Sequence, residues 1–192
     1  MSITDTGVRT DGPHAADSAP GLDAPIDSVA TGRWAGWSIA GLRILMGLLW
    51  IQNVGWKRPP FTTSAGVGRY VKLGVDHPVF GPYAWFSEHV VLKHLTAFGW
   101  AVMLLELSLG VFLTLGLATR LWAAIGTLQA GAIMLSVLNA PHEWGWSYWM
   151  LIGIHVVLCA TAAGRVAGLD GVLRPIWRRR RTQVSGLLLR VS

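Results

Sequence analysis

Four long apolar segments, separated by polar or charged stretches, dominate the pattern of this sequence. They cover residues 37–54, 95–117, 121–138 and 146–163. Each approaches the ~20 residues that a helix needs to cross ~30 Å of hydrocarbon. The predicted fold class is therefore all-α, an integral membrane four-helix bundle whose two chain ends lie on the same side of the membrane.

The basic residues predict which side holds the chain ends. Ten Lys or Arg residues fall near the termini or in the short turn at Arg120, and five fall in the opposite loops. Loops rich in Lys and Arg stay in the cytoplasm. Both termini are therefore predicted to be cytoplasmic, with the protein in a bacterial-type cytoplasmic (inner) membrane.

Three regions are expected along the chain. Residues 1–33, rich in Asp, Gly and Pro, are predicted to be a disordered cytoplasmic tail, residues 34–172 the four-helix domain, and residues 173–192 a basic cytoplasmic tail. In the long loop between the first two spans, the apolar segment 78–92 is too short to cross the membrane and predicts an interfacial or re-entrant helix. Aromatic side chains of the outer surface are expected to form an interfacial belt: Trp56, Trp85, Phe86, Trp144, Trp146, Tyr148 and Trp149.

Composition agrees with a membrane protein and limits its chemistry. Hydrophobic residues make up 52% of the 192 residues and charged residues only 14%, which is too apolar for an ordinary soluble domain. The net charge of +6 includes the arginine run 178–181 beside the last span, which indicates contact with anionic lipid and not with nucleic acid. Cys159 is the single cysteine, so this chain alone can form no disulfide, zinc or iron–sulfur site based on cysteine.

Each predicted span carries one polar residue at a similar depth. Counted from the cytoplasmic helix ends, Arg43 lies roughly 12 Å deep, Glu106 about 18 Å, Gln129 about 14 Å and His155 about 13 Å. A charge near the bilayer centre costs ~2.5–3.5 kcal/mol on insertion. Glu106 therefore needs a partner or a proton, and Arg43 is the predicted partner.

Two interpretations of this polar layer stay open. It is either a structural Arg43–Glu106 pair, or a layer that also contacts a quinone or carries protons. Taken singly, Arg43 could extend to the cytoplasmic interface, His155 could be a neutral core histidine bonded to a backbone carbonyl, and Gln129 could bridge helices.

Other chemistry is less favoured. A second polar group in the outer loops is expected to be interfacial, and a metal site is the weaker alternative because its spacing fits no ligand pattern; it comprises His77, Glu88, His89, His94, His142 and Glu143. No haem is expected, since only His155 lies within a span. The chain has no dinucleotide fingerprint or P-loop, so no nicotinamide or flavin site is expected, nor autonomous redox catalysis.

Three segments resemble the DoxX/DoxD family. Residues 43–57 are similar to its first helix, with Arg43, Gly47, Gly55 and Lys57. Residues 105–124 resemble its second helix and glycine turn, and residues 164–170 its closing segment. The further motif positions are Glu106, Gly110, Arg120 and Asp170. The Trp-rich loop departs from the family pattern.

This resemblance implies a four-helix membrane subunit of a quinone-linked oxidoreductase or respiratory assembly, similar to the thiosulfate:quinone oxidoreductase membrane subunit. Its partners would be other membrane or peripheral oxidoreductase subunits, and a quinone would be its ligand. The alternative is a purely structural accessory subunit without a ligand. A small transporter is less favoured, because the sequence shows no broken helices or inverted repeats.

Overall fold

The computed structural model describes residues 32–180 and 182–192. The predicted N-terminal tail lies almost entirely outside the described residues. Helices are the only regular elements of the described part, apart from one isolated bridge between Thr62 and Ala65. They are α1 (Arg33–Val54), α2 (Gly66–Asp76), α3 (Gly81–Phe86), α4 (Leu95–Leu115), α5 (Thr119–Val137), α6 (Gly145–Thr161), α7 (Leu169–Arg180) and α8 (Gln183–Val191).

The helical fold class and its apolar helices are confirmed for the described residues. Three helical stretches are long and apolar enough to cross a membrane: Arg33–Val54, Gly81–Leu115 and Thr119–Val137. The fourth predicted segment forms α6, which is also apolar but has 17 residues. At 1.5 Å per residue α6 is about 25 Å long, a little less than the hydrocarbon thickness.

The loop between α1 and α4 is more helical than predicted. α2 was not predicted, and it buries Val67 and Val71 in a small apolar cluster with Phe61, Val91 and Leu95. The segment predicted to form an interfacial or re-entrant helix is helical: α3 is followed by a π-helical turn and a 3₁₀ turn that lead directly into α4. Contacts with α2 hold this loop against the N-terminal end of α4 and the C-terminal end of α5.

The described part of the basic segment after residue 172 is helical and makes tertiary contacts. Residue 172 lies inside α7, and α7 and α8 contact each other. α8 also contacts α5. The basic segment is therefore folded onto the helical domain, which a count of charges could not indicate.

The long helices associate in antiparallel pairs. α1 packs along α4, α5 packs along α6, and α4 contacts α5. Their shared core includes Met46, Trp50, Leu109, Leu113 and Leu158. Side chains on the opposite helix faces are large and apolar yet exposed, with Leu128 reaching 75% exposure. Polar residues inside and apolar residues outside is the distribution that a lipid solvent selects.

Gly47 and Gly110 mark the closest approach of α1 and α4. A Cβ atom on Gly47 would lie 2.8 Å from the Gly110 carbonyl oxygen, and one on Gly110 would lie 2.9 Å from the Gly47 carbonyl oxygen. Small residues are what permit such close helix packing in membranes.

We expect Gly47→Ala to lower the free energy of unfolding by about 1–3 kcal/mol, because the added methyl meets backbone atoms that cannot rotate away. The matched control is Gly41→Ala on the same helix, where the new Cβ would meet no atom within 4 Å apart from the adjoining residues and the backbone of its own helix. Unfolding by SDS titration in mixed micelles measures both. Equal stability of the two variants would contradict this packing.

Candidate functional site: two buried polar centres

One buried ion pair joins the end of α1 to the middle of α4. Lys57 Nζ donates to Glu106 Oε1 as a salt bridge. Gln129 of α5 donates to the same oxygen at 3.1 Å, and Asn53 of α1 donates to Oε2 at 3.2 Å. Glu106 is 0% exposed and Lys57 5%. These four residues are called the lysine centre below.

The turn after α1 positions Lys57. Its backbone N–H donates to the Val54 carbonyl at 3.1 Å, which folds the chain back over the helix end. Lys57 Nζ lies 5.0 Å from the centroid of the Trp56 ring, and Trp56 Nε1 donates to Asn53 Oδ1 at 2.8 Å. Burial lowers the pKa of the Lys57 ammonium, while the Glu106 carboxylate opposes that shift.

A second buried centre surrounds Arg43. Its guanidinium donates to the carbonyl oxygens of Leu113 and Thr114 at the C-terminal end of α4, the latter at 2.9 Å. It also donates to the Ala167 carbonyl at 2.9 Å. The terminal carbonyls of a helix have no partner within it and carry partial negative charge, so a fixed cation there satisfies them. Arg43 thereby ties α1 to α4 and to the segment before α7.

Asp170 completes this second centre at the start of α5. Its two carboxylate oxygens accept the backbone N–H groups of Ala118 and Thr119 at 2.7 and 2.9 Å, and so cap the helix. The Asp170 N–H donates to the Gly116 carbonyl at 2.9 Å. Gly116 has φ +66°, and a Cβ there would also collide with the Arg43 guanidinium. Arg43, Gly116, Thr119 and Asp170 are called the arginine centre below.

His155 belongs to neither centre. Trp50 Nε1 donates to His155 Nε2 at 2.9 Å, so the ring proton sits on Nδ1, which donates to the Leu151 carbonyl at 2.8 Å. The ring also fills the space beside Gly126. Both ring nitrogens are therefore used within the protein, as in the core-histidine interpretation.

The predicted Arg43–Glu106 pair is wrong. The predicted pair rests on the depth of each residue's backbone in the membrane. Side chains on a helix, however, lean toward the N-terminus of that helix. Because α1 and α4 are antiparallel, Arg43 and Glu106 lean in opposite directions, each toward a different end of the helix pair. Glu106 also precedes Leu113 by two helical turns, about 10 Å. The four polar residues therefore do not form a single layer. They are divided between two centres and a separate contact between Trp50 and His155.

The structure brings most of the motif positions together. Lys57 meets Glu106, and Arg43 and Asp170 both reach the turn at Gly116. Gly47 meets Gly110. Arg120 lies apart from both centres, where its Nε donates to the Cys159 carbonyl at 3.3 Å. Gly55 follows the last residue of α1.

Sequence reasoning missed several members of the two centres. Asn53 lies four residues before Lys57, so both side chains can face Glu106 once the chain turns after α1. The signal in the sequence was the amide of Asn53 near the end of the first span. Outside the centres, the partner of His155 was missed: Trp50 carries a buried indole N–H, which needs an acceptor. Thr119 contributes backbone only, which no side-chain pattern reveals.

The outer histidines and acids do not gather into one cluster. His89 stacks on Trp85 with ring centroids 4.8 Å apart, and Tyr148 donates to Glu143. Among the described residues, no group of three or more His, Cys, Asp or Glu side chains is arranged to hold a metal ion.

Comparison with protein-family models, curated proteins and solved structures found no match to this chain. Any functional conclusion therefore comes from the two centres and from the motif resemblance.

We expect Asp170→Ala to lower the free energy of unfolding by at least about 2 kcal/mol, because two buried N–H groups lose charged acceptors. Asp76→Ala is the matched control, since Asp76 makes only an exposed bridge to Lys72, and such bridges contribute about 0–1 kcal/mol. SDS titration measures both variants. A loss no larger for Asp170→Ala than for the control would contradict the capping role.

Proposed function

We propose that this protein is a four-span subunit of a quinone-linked oxidoreductase or respiratory assembly, with both termini cytoplasmic in a bacterial-type inner membrane. In this proposal α6 is the fourth span, and the chain is a DoxX/DoxD-like subunit that anchors its partners. The resemblance gains support from contacts between motif positions, since Lys57 meets Glu106 and Gly47 meets Gly110. Residues that share a motif by chance would have no reason to meet in the fold.

The lysine centre is the observation that carries this proposal. Removing two charges from water is expensive, and well-packed apolar residues often replace a buried ion pair with no loss of stability. A buried pair is therefore weak support for a stability role. Ionisable residues within a membrane domain mark sites for substrates, ions or protons.

The donors of the lysine centre are of the chemical kind that the carbonyl oxygens of a quinone head group accept. The Lys57 ammonium has three N–H donors, and the side-chain amides of Asn53 and Gln129 have two each. Each of these three side chains uses one N–H to bind Glu106. The remaining donors suit ring carbonyl oxygens, and Glu106 places a carboxylate beside them. A bound quinone would supply the electron-accepting ring, with electrons coming from a partner subunit.

A structural accessory subunit without ligand is the second candidate. The ring of His155 favours it, because both ring nitrogens bond within the protein and leave no hydrogen-bonding direction for a ligand. The bonds from Arg43 to three backbone carbonyls also favour it, because they join helix ends. These contacts narrow the proposed quinone site to the lysine centre. Arg43 and His155 are assigned structural roles in both candidates.

Titration with decylubiquinone in lipid nanodiscs tests the proposal, with saturable quenching of tryptophan fluorescence as the readout. We expect Lys57→Gln to weaken binding about tenfold, the effect of losing one charge-assisted hydrogen bond. The matched control is Lys72→Gln, at an exposed lysine, which should bind as the wild type does.

Size-exclusion chromatography verifies that both variants stay folded. Wild-type protein that shows no saturable quenching would remove the quinone from the proposal and leave the structural subunit. Equal binding by folded Lys57→Gln would move the site away from the lysine centre.

A further inference from the structure

A pocket rich in arginine lies beside α7, on the chain that follows α6. Its lining is four arginines with one glycine and one proline: Arg165, Arg174, Arg178, Arg179, Gly171 and Pro175. Residues after 164 include seven arginines and one acid, Asp170. Both carboxylate oxygens of Asp170 are engaged by the start of α5. Arg165 and Arg174 already donate to Ser192, and Arg174 also to Leu189. Arg178 and Arg179 therefore carry the case for a basic concave surface, a suitable environment for an anion.

The position of this pocket is fixed by the arginine centre. Asp170 caps α5, and its N–H donates to the Gly116 carbonyl in the turn between α4 and α5. The first turn of α7 is therefore held level with the ends of the long helices. A pocket at the ends of membrane-crossing helices lies at the depth of lipid head groups.

One face of α7 is apolar and exposed. Leu169, Val172 and Ile176 recur at the three- and four-residue spacing of a helix face, and Val172 is 66% exposed. On α8, Val184 is 67% exposed and Leu187 is also exposed. An exposed apolar stripe beside a basic surface is the pattern of a helix lying in the membrane interface.

We propose that the pocket binds the phosphate group of an anionic phospholipid, with the acyl chains along the apolar face of α7. Guanidinium groups match phosphate oxygens in geometry and can bind them in pairs. A free phosphate would use the arginines but not the apolar stripe, so the two features together favour a lipid. The proposed cytoplasmic orientation of the C-terminal segment determines which leaflet supplies this lipid. The binding itself does not depend on that orientation.

The test is a titration of the full-length protein in neutral detergent with dioctanoyl phosphatidylglycerol, dioctanoyl phosphatidylcholine and inorganic phosphate, followed by native mass spectrometry. We expect saturable binding of phosphatidylglycerol and at least about tenfold weaker binding of the other two, since the first alone combines net negative charge with acyl chains.

Two charge-matched double variants locate the site. Arg178→Gln with Arg179→Gln removes two pocket arginines, and we expect about tenfold weaker binding of phosphatidylglycerol from the lost charge-assisted hydrogen bonds. Arg180→Gln with Arg190→Gln removes the same charge outside the pocket lining and should change binding less than about twofold.

Three results would overturn the proposal. The first is an equal loss of phosphatidylglycerol affinity in both double variants, and the second is equal affinity for the two lipids. The third is displacement of the lipid by inorganic phosphate at equal concentration, which would make a free phosphate the ligand. Quinone titration of the same preparations separates this result from the proposed function, because the arginine variants leave the lysine centre intact. If labelling shows that the C-terminal segment faces outward, the bound lipid belongs to the outer leaflet, and the binding proposal is unchanged.

Discussion

The need to satisfy the buried Glu106 carboxylate is the constraint on which the rest of this structure depends. A carboxylate in the middle of an apolar helix has no water to bind, so the chain must supply every donor itself. The protein does so by folding the end of α1 back over α4 and by bringing Gln129 from α5 to the same oxygen. One polar residue thus fixes how three helices meet.

The same constraint operates at the opposite end of the α1–α4 pair. There, Arg43 satisfies the end of α4, and Asp170 satisfies the beginning of α5. Gly47 and Gly110 lie between the two centres and let the helices approach closely. The arginine centre is made of helix-end contacts to backbone groups, whereas the lysine centre is made of contacts between side chains.

Much of the fold could be predicted, because apolar length determines which segments become long helices. Arg43, Glu106, Gln129 and His155 were also visible, since a polar side chain in an apolar segment stands out. The pairing was not, because the direction of a side chain depends on helix polarity, which depth alone ignores. Arg43 therefore seemed opposite Glu106 although it leans away. α2 and α7 were missed because short helices with mixed charge depend on tertiary contacts.

Two double-mutant cycles test the central claim, with free energies of unfolding from SDS titration. For Lys57→Met with Glu106→Leu, we expect a coupling of about 2 kcal/mol, because each single change strands a buried charge and the double change removes both. For Arg43→Met with Glu106→Leu, the effects should add within about 0.5 kcal/mol. Strong coupling of Arg43 to Glu106, with additivity between Lys57 and Glu106, would contradict the account.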